Sequence, residues 1–91
     1  MARISKSELI EMIKNPGDAI GLKFGIDMGI VLLTFKGTWD SKESYTSLDL
    51  VEYEDEAYVS RYENSGIKPT ESDKAWMPFD EFYKLIPERN R

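Results

Sequence analysis

At Asn15, Pro16 and Gly17 the apolar spacing of this chain switches from helical to extended, and helical spacing does not return until Pro78. The switch confines the fold to a short helix, a run of strands and a second short helix. Ahead of it, Ser5 and Glu8 form a capping box and Ile4 is placed to pack on Leu9 as a hydrophobic staple, so a helix should start at about Lys6. Leu9, Met12 and Ile13 give that helix an i, i+3, i+4 stripe with Ile10 at its margin, and Pro16 and Gly17 stop it. A stripe of this kind must lie on a sheet.

The sheet follows directly. Ile20, Leu22, Phe24 and Ile26 alternate with Gly21, Lys23 and Gly25, the period of two of a half-buried strand. Glycines on one face of a strand mark a bulge, a bend or the close approach of another backbone or ligand. Asp27, Met28 and Gly29 read as a tight turn, and Ile30 to Phe35 is the most hydrophobic strand, expected at the centre of the sheet. Lys36 to Ser44 reads as a loop, Tyr45 to Tyr53 as a strand, Glu54 to Glu56 as a charged hairpin connection and Ala57 to Tyr62 as its return strand. Residues 63–74 hold Gly66, Pro69 and one aliphatic residue, Ile67, and form a long loop of the length that is often functional. Pro78 suits the first turn of a helix in which Phe79, Phe82, Tyr83 and Ile86 share a face before Pro87 ends it.

The expected architecture is one α+β domain spanning 1–91: an N-terminal helix, a strongly bent antiparallel sheet of four or five strands with a small barrel as its limiting form, and a C-terminal helix. A helix followed by a bent meander is faintly similar to small Sm-like and SH3-like barrels; no RNA-binding signature of either is matched, and no membership follows. A chain of 91 residues buries only about 60–65% of its unfolded surface, so stability should be modest and self-association stays open.

Two absences restrict the chemistry. There is no cysteine, which removes disulfides and thiolate metal sites and fits a reducing, cytoplasmic setting. There is also no histidine, the usual general base near neutral pH and the commonest metal ligand. Serine–histidine and cysteine–histidine catalysis are excluded. Asp49, Glu52, Asp55 and Glu56 lack calcium-loop spacing, so neither metal nor cofactor is expected, and no catalytic residues are assigned. Two-carboxylate chemistry stays open on residue types alone, but so short a chain rarely builds both a core and a deep cleft. No apolar run approaches the roughly 20 residues of a membrane helix, and Glu8 and Glu11 interrupt any signal-like stretch.

Charge is unevenly placed. Of the net −5, Asp40 to Glu63 carries −6, with eight carboxylates against Lys42 and Arg61. Such a patch repels phosphate backbones and attracts basic protein surfaces. In extended geometry Glu52, Glu54 and Glu56 would project from one face about 6.5–7 Å apart, a spacing comparable to a phosphate track. The leading expectation is therefore a non-enzymatic protein-binding module: a small acidic regulator or inhibitor, analogous to phage-encoded nucleic-acid mimics. It would dock on a basic partner surface such as that of a nucleic-acid-binding enzyme, without binding nucleic acid or membrane itself. Asp49, Glu52, Glu54, Asp55 and Glu56 would attract the partner, Tyr53, Tyr58 and Tyr62 would supply contact area, Arg61 would fix a local ion pair, and Trp39 would be a hot-spot anchor if exposed. The competing reading is a solvated hairpin and a charged edge that prevents aggregation. An alternative of another class is an oligomeric small-ligand-binding protein with its site at the glycine-rich strand and the 63–74 loop. A third is an assembly component that joins copies through an open sheet edge.

Overall fold

The computed structural model describes residues 5–26 and 29–85. Ile4, Asp27, Met28, Ile86 and Pro87, to which the staple, the first turn and the end of the second helix were assigned, lie outside the described residues.

Helix α1 (Lys6–Lys14) forms where the capping box places it. Glu8 N–H donates to Ser5 Oγ at 3.2 Å and Ser5 N–H to Glu8 Oε1 at 3.3 Å, and the Asn15 N–H closes the last turn on the Glu11 carbonyl. Its stripe is Leu9, Ile10 and Ile13, all buried. Burying a side chain the size of Leu9 or Ile13 stabilises the fold by roughly 1.5–3 kcal/mol.

The sheet has five strands, β1 (Gly21–Ile26), β2 (Gly29–Thr38), β4 (Asp49–Tyr53), β5 (Glu56–Ser60) and β7 (Trp76–Pro78), in the order β1-β2-β4-β5-β7. Two short strands, β3 (Ser44–Tyr45) and β6 (Asn64–Ser65), form a separate antiparallel pair, and α2 (Phe79–Leu85) ends the described chain. The expected antiparallel sheet is corrected in two ways. It is mixed, because β2 and β4 run parallel, Thr34 opposite Asp49 and Thr38 opposite Glu52. It is also open, with β1 and β7 at its two edges, so no barrel forms. The apolar strand β2 is interior, but the middle position belongs to β4.

The expected strand from Tyr45 to Tyr53 is broken. Leu48 has φ +72°, and the Asp49 N–H bonds back to the Thr46 carbonyl, which turns the chain between β3 and β4. On β2, Gly37 at φ +76° coincides with a shift in register between Phe35 and Thr38, a bulge at the end of the strand. Pro78 closes β7, and the helix starts one residue later, at Phe79.

Both faces of the central strands are covered. On one, α1 and Phe79 pack over Leu33, Leu50, Ala57 and Val59. On the other, Tyr45, Ala75 and Trp76 cover Val51, with Trp39, Tyr58 and Ile67 at the margin. The 63–74 segment is tied down here rather than open: β6 pairs with β3, Trp76 Nε1 donates to the Ile67 carbonyl at 2.8 Å, and Asn64 Nδ2 reaches Ser60 Oγ and the Tyr62 carbonyl. Because β4 is covered on both sides, Asp49 to Glu52 are buried without a break.

Candidate docking surface at the β4–β5 hairpin

The hairpin register pairs Tyr53 with Glu56 and Leu50 with Val59, leaving Glu54 and Asp55 as a two-residue turn. Both have positive φ, +51° and +64°, the conformation of the type I′ turns that match strand twist. Asn-Gly is the usual occupant of such a turn. Here the two positions are a glutamate and an aspartate, both exposed. Among the described residues, neither side chain takes part in an ion pair or a hydrogen bond.

Beneath the turn lies Glu52, only 5% exposed. Its Oε1 accepts from Thr38 Oγ1 at 2.7 Å and its Oε2 from the Asp55 N–H at 2.9 Å, joining the turn to the end of β2. Burial opposes the charge, but these two donors and the nearby Lys14 ammonium outweigh it and hold the carboxyl below its ordinary range. Asp49 is also internal, 7% exposed, and accepts the Thr46 N–H at 2.9 Å. Two of the expected surface acids are thus structural, and the row Glu52, Glu54, Glu56 is not formed. Glu52 faces inward, and the chain reverses at Glu54 and Asp55. Glu56 is exposed, but its Oε2 sits 2.7 Å from Lys6 Nζ, in an ion pair whose exposed partners make it weakly stabilising.

Aromatic area does gather at this end. The Trp39 N–H donates to the Glu52 carbonyl at 2.9 Å, and its indole meets the Tyr53 ring edge to face, centroids 5.6 Å apart and planes at 81°. Both rings are half-buried, and Trp39 Nε1 is enclosed without a partner among the described residues. Tyr58 is half-buried on the same side of the sheet, and burial followed by the charges of Glu56 and Glu54 pushes its phenol upward.

The remaining expected contacts lie elsewhere. Arg61 and the 47%-exposed Tyr62 follow β5 at its far end, with roughly 13 Å of strand between Glu56 and Ser60. Arg61 forms no ion pair with the acidic turn; its guanidinium donates to the Asp73 carbonyl at 3.0 Å. Tyr45, in β3, is 1% exposed and packs edge to face on Trp76. Three residues of the site escaped the sequence reading: Thr38, Lys14 and Lys6. Lys6 pairs with an acid 50 positions away, for which the sequence carries no local signal. Glu52 did carry one, since it alternates in phase with the core residue Leu50.

The proposed ligand site of the alternative reading is not assembled. Strand β1 is one edge of the sheet, whereas residues 63–74 connect β5 to β7 at the other edge. Among the described residues no cluster of three or more acidic side chains is placed to hold a metal ion, and no helix is long and apolar enough to cross a membrane. Comparison with protein-family models, with curated proteins and with solved structures finds no match to this chain.

Proposed function

We infer that this chain is a non-enzymatic acidic protein-binding module, a small regulator or inhibitor that docks the tip of the β4–β5 hairpin on a basic surface of a partner protein. The observation that carries the reading is the occupancy of the turn. Left-handed backbone costs a side chain such as that of Glu54 roughly 1–2 kcal/mol, and asparagine or glycine would relieve most of it. Stability alone would not select two carboxylates here, side by side and lacking ionic partners among the described residues. Glu52 and Thr38 hold the turn in place, so little ordering would be required on binding. Trp39 and Tyr53 supply adjacent contact area of the kind that anchors interfaces. With the carboxylate row reduced to the turn, the reading rests on charge complementarity rather than on phosphate-like spacing.

Affinity capture from the native host at low and high salt, with wild type and Glu54→Gln/Asp55→Asn in parallel, tests it. Capture that needs both carboxylates and fails at high salt is expected. Equal capture by the two proteins at both salts would overturn the reading.

A further inference from the structure

A cleft of about 470 Å³ opens between the end of α1, the bulged end of β2 and the 40–45 segment, a volume within the range of small-molecule sites. Ile13 and Phe35 are its apolar lining, and Lys14, Lys36, Asp40 and Glu43 bring charges of both signs to its rim. Among the described residues none of these four forms an ion pair, although opposite charges border one cavity. Tyr45, 1% exposed, adds a second observation. Its hydroxyl accepts the Asp40 N–H at 2.9 Å, while its own hydrogen meets no acceptor among the described residues. Buried hydroxyls ordinarily use their donor.

We propose that this cleft binds a small zwitterion of amino-acid or dipeptide size carrying an apolar side chain. Its ammonium would be matched by Asp40 and Glu43, its carboxylate by Lys14, Lys36 and the Tyr45 hydroxyl, and its side chain by Ile13 and Phe35. The site borders the support of the hairpin tip, sharing Lys14 and Thr38 with it, but does not require the docking function.

The test is a titration of isotope-labelled protein with phenylalanine, followed by amide chemical shifts at Lys14, Lys36, Gly37 and Asp40. Phenethylamine and 3-phenylpropionate, each keeping the ring and one charge, serve as controls. Saturable shifts confined to this cleft are expected, with both controls at least about tenfold weaker. Asp40→Asn/Glu43→Gln, both exposed, with the asparagine oxygen still able to accept the Lys42 N–H that Asp40 Oδ1 binds at 2.8 Å, should weaken phenylalanine and phenethylamine about tenfold and leave 3-phenylpropionate unaffected. Three results would overturn the proposal: no saturable shift, equal binding of all three probes, or phenylalanine affinity undiminished by the double substitution.

Discussion

The carboxylate of Glu52 binds Thr38 through one oxygen and the backbone of Asp55 through the other, so a single buried acid fastens the hairpin turn to the neighbouring parallel strand. The Asp55 N–H can only donate, whereas the Thr38 hydroxyl can turn to accept and here gives its hydrogen to a charged oxygen. Glu52→Gln can keep both contacts by offering its amide N–H to the Thr38 oxygen but loses the charge, and should destabilise the fold by about 1 kcal/mol, measured by urea unfolding at neutral pH.

The same residue makes a pH prediction. Its folded pKa lies below the ordinary value of 4.5, so the unfolded chain takes up the proton first. The stabilisation is complete above that value and drains away as pH falls through the lower folded pKa. Unfolding free energies of wild type and Glu52→Gln should therefore converge in acid; a gap that stays constant with pH would contradict the assignment.

Replacing the turn by its preferred residues, Glu54→Asn/Asp55→Gly, keeps the N–H that Glu52 binds and relieves the left-handed strain. A gain of roughly 1–2 kcal/mol in thermal or urea unfolding is expected, together with loss of partner capture. Higher stability with undiminished capture would separate the carboxylates from function.

Lys6 partly neutralises Glu56 beside the turn. Lys6→Gln should leave the melting temperature nearly unchanged, as expected for an exposed pair, while making the tip more acidic. Capture at low salt should then strengthen.

A Cβ at position 21 would land on the Leu33 carbonyl oxygen. Gly21→Ala should force β1 and β2 apart at that point and cost about 1–3 kcal/mol. Gly37→Ala meets nothing within 4 Å and pays only for its left-handed backbone. Denaturant unfolding of both, with amide shifts along β1, distinguishes steric conflict from strain.

Much of this molecule was legible where the governing interactions are local. The capping box, the stop at Pro16 and Gly17 and the reversal at Glu54 and Asp55 all depend on residues within a few positions of one another. The strand from Tyr45 was misread because the alternation runs on through Leu48, and nothing in a leucine announces a positive φ. Parallel pairing of β2 with β4 was invisible for a different reason: orientation is decided by the path of the intervening loop, which leaves no periodic trace. Three residues of β7 are too few to show a period. As for the site, the turn carboxylates could be placed from sequence. The inward placement of Glu52 was signalled by its phase with Leu50, whereas that of Asp49 emerged only once β4 was covered on both faces.

Strand β2 joins β1 in one orientation and β4 in the other, so the sheet consists of two ribbons met along a seam. The hairpins β1–β2 and β4–β5 pair strands joined by short connections, whereas the seam must wait for closure of the connection that follows Thr38, and β7 for the longer connection that follows Ser60. Assembly should therefore finish in these two pairings. Trp39, whose N–H fastens onto the Glu52 carbonyl, is a fluorophore sited by nature to report closure of the seam.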